Sequence, residues 1–150
     1  VIQRVSSAGV EAEGCVAGRI GQGLMILLGV HEEDGEAQAR FLAGKIVQLR
    51  IFTDSQDKLN LSLLDVGGGA LVVSNFTLYA DCKKGRRPSY VEAARPEKAD
   101  SLYRYFVRCL GEAGVSPVET GVFGAHMLVS IANDGPVTIW MDTAEMMPKG

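Results

Sequence analysis

Residues 70–90, ALVVSNFTLYADCKKGRRPSY, constrain this chain more than any other tract. Leu71, Val72 and Val73 form a short apolar run, bounded upstream by the turn triplet Gly67-Gly68-Gly69. Such a run reads as a buried β-strand. It gives way to small polar groups, Ser74, Asn75 and Thr77, around one aromatic, Phe76, and then to Lys83, Lys84, Arg86 and Arg87. Polar groups and an exposed ring beside a basic loop suit a ligand that is part base and part phosphate. A nucleic-acid end fits that description. A plainer reading stands beside it. Ser and Thr at a strand end commonly bond nearby backbone, Phe76 fits ordinary core, and KKGRR fits a solvated turn bent at Gly85.

The rest of the chain supplies more strands and two helices. Val1 to Val5 and Val10 to Ile20 read as strands, the second folded at Glu13-Gly14, and Leu24 to Val30 reads as a central strand. Asp34 is a candidate N-cap for a helix with Ala37, Phe41, Leu42, Ile46 and Leu49 at helical spacing. Strands are expected near Arg50 to Thr53 and Leu71 to Phe76. A second helix is expected from near Pro96, suited to a first helical turn, to about Glu112, burying Ala99, Leu102, Tyr103, Phe106 and Leu110, with Gly114 past its end. Ser116 to Thr120, Met127 to Ala132 and Val137 to Asp142 complete the strands, and the tail from Ala144 to Gly150 carries no pattern. Two helices against seven or more strands indicate an α+β domain on a curled sheet.

No linker, repeat or low-complexity tract divides the 150 residues, so one domain spanning 1–150 is expected. No apolar run approaches bilayer-spanning length, and the N-terminus lacks the layout of a secretion signal. The three cysteines, Cys15, Cys82 and Cys109, are odd in number and scattered, which suits reduced thiols in the cytoplasm. A formal net charge of −3 argues against coating nucleic acid along its length, but allows a local basic patch to grip one RNA end.

A second tract is Asn133-Asp134-Gly135-Pro136-Val137-Thr138. SNFTLYADCKKGRRPS together with NDGPVT resembles the D-aminoacyl-tRNA deacylase family in its bacterial-type form. The likeness extends over the chain, through VIQRVSSAGV, GLMILLGV, LRIF, NLSLLDVGG and ETGVFGAHM, in the right order and spacing. One departure is Asn75, where the family carries glutamine; the amide is kept and the arm is one methylene shorter.

The resemblance implies a barrel-like, mostly antiparallel or mixed sheet with both helices packed outside. It implies a homodimer with active sites at the subunit interface, no cofactor, and hydrolysis of the ester joining a D-amino acid to the terminal ribose of tRNA. Ser74, Asn75 and Phe76 would bind substrate, Phe76 packing on the terminal adenine, while backbone N–H groups near Phe76 and Thr77 would stabilise the oxyanion. Thr77 is the candidate catalytic side chain. It needs a base to act as nucleophile, and His31 and His126 stand in no triad arrangement. The preferred expectation is assistance by the substrate's 2′-hydroxyl, with Thr77 orienting the site. Lys83, Lys84, Arg86 and Arg87 would hold the tRNA.

Asp-Gly-Pro by itself is ordinary turn chemistry, and X–Pro bonds are mostly trans. The resemblance implies instead a cis Gly135-Pro136 bond that enters the partner's active site. There its two carbonyls would receive the substrate's α-amino group. A backbone wall in that place excludes L side chains by clash, while D-aminoacyl and glycyl esters pass. Cys82 beside the basic loop lacks a base, Asp81 is expected to cap or pair with the loop, and Asp54 and Asp57 to form a turn. No metal-ligand spacing is present. Three other readings remain, the first two being a non-catalytic RNA-end binding module and a related editing deacylase without strict D-selectivity. A merely structural β-rich protein is a third.

Overall fold

The computed structural model describes residues 1–148; Lys149 and Gly150 of the tail lie outside the described residues. Its first strand, β1 (Ile2–Ala12), is one continuous element where two shorter strands were expected. It turns at Glu13 and Gly14, both at positive φ, into β2 (Cys15–Ile20), and β3 (Gly23–Leu28) follows. The long helix α1 (Glu36–Gln48) begins at Gly35, not Asp34. Gln38 reaches back to accept the Gly35 N–H at 2.8 Å, while the Asp34 carboxylate accepts the His31 N–H at 2.7 Å and closes the preceding turn. Ala43, Ile46 and Val47 carry the buried face, and Ala37 is exposed.

The chain continues through β4 (Phe52–Thr53) and β5 (Leu59–Leu61), paired antiparallel, to a single-turn helix α2 (Leu63–Val66). Asp54 and Asp57 shape the β4–β5 turn, Asp54 accepting the N–H groups of Gln56 and Lys58. Next come β6 (Gly69–Ser74) and a 3-10 turn over Phe76–Tyr79. Helix α3 (Pro96–Glu112) has the expected span and buries the expected five side chains, Phe106 and Leu110 completely. Strand β7 (Val118–Thr120), strand β8 (Met127–Ile139) and a single-turn helix α4 (Thr143–Met146) end the described chain. The tail thus holds a helical turn capped by Asp142, whose carboxylate accepts the Ala144 N–H at 2.9 Å.

The sheet is mixed, with order β2-β1-β3-β6-β7 and β8 along the other side of β1. β3, β6 and β7 run parallel, and the pairs made by β1 are antiparallel. The sheet curls until β2 approaches β7: a Cβ added at Gly18 would sit 2.8 Å from the Thr120 carbonyl oxygen. The barrel is nearly closed. β3 and β6 are buried on both faces, which is why their sequences are unbroken apolar runs. Leu24, Ile26, Ala70 and Val72 face the cluster containing α1 and α3, while Met25, Leu71 and Val73 pack inward with Val5, Val10 and Ile20. Tyr103 on α3 donates to the Val72 carbonyl at 3.2 Å, tying the helix to the strand that leads into the polar tract.

The break expected at 133–136 is a bulge rather than a turn between separate strands. β1 residues Val5 and Gln3 face Asn133 and Thr138, so β8 spends five steps where β1 spends two. β1 is long enough to pair with both halves of β8, which keeps them on one line and expels the residues between.

Candidate functional site

Strand β6 ends where its apolar run ends. Asn75 N–H still bonds the Leu28 carbonyl at 2.8 Å, and the backbone then tightens into the Phe76–Tyr79 turn. Asn75 caps that turn: its Oδ1 accepts the Thr77 N–H at 3.1 Å and also the Thr77 hydroxyl. The short amide is therefore folded inward, and it commits one of the two N–H groups expected to face an oxyanion. The Phe76 N–H has no protein partner among the described residues.

Ser74, Asn75, Phe76 and Thr77 together line a cavity of about 860 Å³. Tyr90 with Ala93 to Pro96, then Ala99, and Phe123 to Met127 with Val129 line most of the rest, over a floor of Leu27, Val30 and Val73. The Phe76 side chain is held up in solvent, the residue being 57% exposed, with the Tyr90 ring edge-on at 5.1 Å and 77°. An exposed ring with one face open is a platform for a base. Tyr90 was missed as a site residue because nothing in its own spacing marks it; only the fold brings it against Phe76.

The basic residues Lys83, Lys84, Arg86 and Arg87 do not line the cavity. They sit exposed on a loop whose feet, Asp81 and Ser89, exchange backbone hydrogen bonds of 2.8 and 2.9 Å. The Asp81 carboxylate accepts the Lys83 N–H at 3.0 Å, and Gly85 supplies the bend at φ +65°. Because Tyr90 directly follows the loop, the basic tip is joined to the aromatic pair.

His126 lines the cavity, whereas His31 packs against Tyr79 behind the turn at 5.4 Å. Burial, then the Asp34, Asp142 and Glu92 carboxylates, push the Tyr79 phenol well above its ordinary value, so Tyr79 is a neutral post. The Thr77 hydroxyl donates to an amide oxygen, which is no base, and neither histidine bonds to it.

Gly135 and Pro136 stand apart from this cavity. They occupy the β8 bulge, roughly 20 Å along the strand from Val129 at about 3.3 Å per residue. Their peptide bond is cis, as is Ser116-Pro117. Arg4 holds the bulge from beneath: its Nε donates to the Asp134 carbonyl at 3.1 Å and its Nη1 to the Ile51 carbonyl at 2.9 Å. Asn133 brackets the same loop, accepting the Val137 N–H at 3.3 Å. The visible signal for Arg4 is a charge inside an otherwise inward-facing run, Ile2 to Val5, where it needs partners.

Residues 1–142 match the model of the family described as D-Tyr-tRNA(Tyr) deacylase. A D-aminoacyl-tRNA deacylase of Thermomicrobium roseum is 58% identical over 146 residues, covering 97% of this chain and 94% of its own. One from Bacillus velezensis is 54% identical, covering 97% and 98%. Among solved structures, a c-Myc DNA unwinding element binding protein superposes with TM-score 0.86 at 37% identity, over 92% of this chain and 93% of that one. A probable eukaryotic D-amino acid tRNA deacylase shares the fold, with TM-score 0.74 at 18% identity, over 90% and 93%. With the family model matched over residues 1–142 and 58% identity over 146 residues to a D-aminoacyl-tRNA deacylase, the chain belongs to the D-Tyr-tRNA(Tyr) deacylase family.

Proposed function

We propose that this chain hydrolyses the ester of D-aminoacyl-tRNA, releasing the D-amino acid and tRNA. The observation that carries the reading is the β6 terminus: an exposed Phe76 ring and an uncommitted Phe76 N–H share one large cavity. The ring takes the terminal adenine, and the N–H faces the oxyanion of the tetrahedral intermediate. Ser74 and Asn75 shape the strand end around the substrate. The ester is already activated, so positioning and oxyanion stabilisation suffice, with the adjacent 2′-hydroxyl assisting the attack.

Thr77 orients the site through Asn75. Thr77→Ala is accordingly expected to keep kcat within about fivefold of the wild type, and quenching the wild type during turnover is expected to trap no acyl-enzyme. Loss of activity together with an isolable acyl-threonine would reject this role.

Gly135 and Pro136 reach the substrate from the second subunit of a homodimer, since within one chain they lie far from the cavity. Together they form the wall that excludes L side chains, and glycine, with nothing to clash, passes. Time courses on D-, L- and glycyl-tRNA test the whole reading: release of the first and third with the second intact is expected. A binding module would release none of them. An editing enzyme without D-selectivity would release all.

Lys83, Lys84, Arg86 and Arg87 hold the acceptor end near the aromatic pair. Changing all four to Gln is expected to flatten the log–log salt dependence of tRNA binding by roughly one to three. An unchanged slope would assign the loop to solubility. The enzyme works in the cytoplasm as one domain and needs no cofactor.

A further inference from the structure

No carboxylate lines the cavity among the described residues, and one permanently charged residue does, Arg95. Its position breaks a local rule. Arg95 is the N-cap of α3, where its side chain makes no capping bond. Ser, Thr, Asp or Asn there would satisfy an orphan N–H, whereas arginine brings positive charge to the positive end of the helix. Pro96 and Glu97 support the helix start, but none of the ion pairs found among the described residues engages Arg95; they involve Arg4, Arg104 and Arg108. A residue that weakens its own helix end while lining the site is best explained by what the site binds.

We propose that Arg95 binds the phosphate linking the terminal nucleoside to the preceding nucleotide. This rests on the reading that an aminoacyl-RNA end occupies the cavity. Phe76 takes the base and the start of the 3-10 turn takes the ester, both on the wall built by β6. The ribose spans those two points, which leaves its 5′-phosphate as the group still unmatched. That group is anionic, and the β6 wall, Ser74 to Thr77, is uncharged. The KKGRR loop lies outside the cavity lining. A guanidinium can meet a phosphate with two parallel N–H bonds, which a lysine cannot.

Arg95→Ser is the informative variant, since it removes the guanidinium and installs a preferred cap, so its melting temperature should not fall. Adenosine 5′-monophosphate and adenosine, titrated separately against the whole protein, serve as probes. The wild type is expected to hold the monophosphate about tenfold more tightly, and Arg95→Ser to bring the two within about twofold without changing adenosine affinity. Arg95→Lys should fall between them. On D-aminoacyl-tRNA, Arg95→Ser should raise KM about tenfold with kcat within about twofold. A wild type that binds both probes alike, or an Arg95→Ser variant that still separates them, overturns the proposal. Failure of the wild type to release the D-amino acid would instead overturn the reading of function, and the two probes would still decide Arg95.

Discussion

Phe76→Ala is expected to lower kcat/KM on D-aminoacyl-tRNA by roughly 5- to 150-fold, the range set by about 1–3 kcal/mol of stacking on one base. The ring is 57% exposed and is the solvent-side member of an edge-to-face pair with Tyr90, so its removal uncovers little core. Melting temperature should therefore stay close to that of the wild type while catalysis falls. Phe76→Leu separates stacking from bulk. Leucine restores most of the volume without a π face, and should recover little activity. A leucine variant as active as the wild type would show that the ring is filler and that adenine lies elsewhere.

Gly23→Ala is expected to cost about 3–5 kcal/mol, a large share of a total stability of about 5–15 kcal/mol. Gly23 opens the parallel pairing of β3 with β6, opposite Gly69. An added Cβ would lie 1.9 Å from the Gly69 carbonyl oxygen and 2.8 Å from that residue's carbonyl carbon and nitrogen. Those obstacles are backbone, so no rotamer change relieves them. Either the strands part or the register moves, and a shift of one residue would turn the inward residues of β6 outward. The Phe76 turn hangs from the far end of that strand and would be lost as well. Gly44 provides the contrast: it lies in the α1 interior, exposed, with nothing within 4 Å of its added Cβ. Gly44→Ala should stabilise the fold by about 1 kcal/mol. Chemical denaturation of both variants checks the pair, and a folded Gly23→Ala of near wild-type stability would refute the packing argument.

Helix α3 was legible in both type and approximate span. Proline at its first position, five apolar residues at helical spacing and a glycine beyond its end all specify the same span. Helix α1 was legible in type but not in its start, since Asp34 has the side chain of a cap and spends it on His31 instead. The strand end at Ser74 to Thr77 was readable because its parts are contiguous. What the Asn75 amide does was not, because whether it turns inward to Thr77 or outward depends on backbone dihedrals.

Local order in this protein follows from short-range information: apolar period, turn residues and the change from Val73 to Ser74 are complete within a few positions, so composition and spacing determine the elements and the polar tract. Assembly of the cavity does not, for it waits on a curled sheet bringing residues 74–77, 90–99 and 123–129 together. The same is true of Arg4, whose carbonyl partners lie 47 and 130 positions away. Backbone hydrogen bonds and buried charges take whichever partner closure of the barrel delivers, and sequence separation carries no record of that choice.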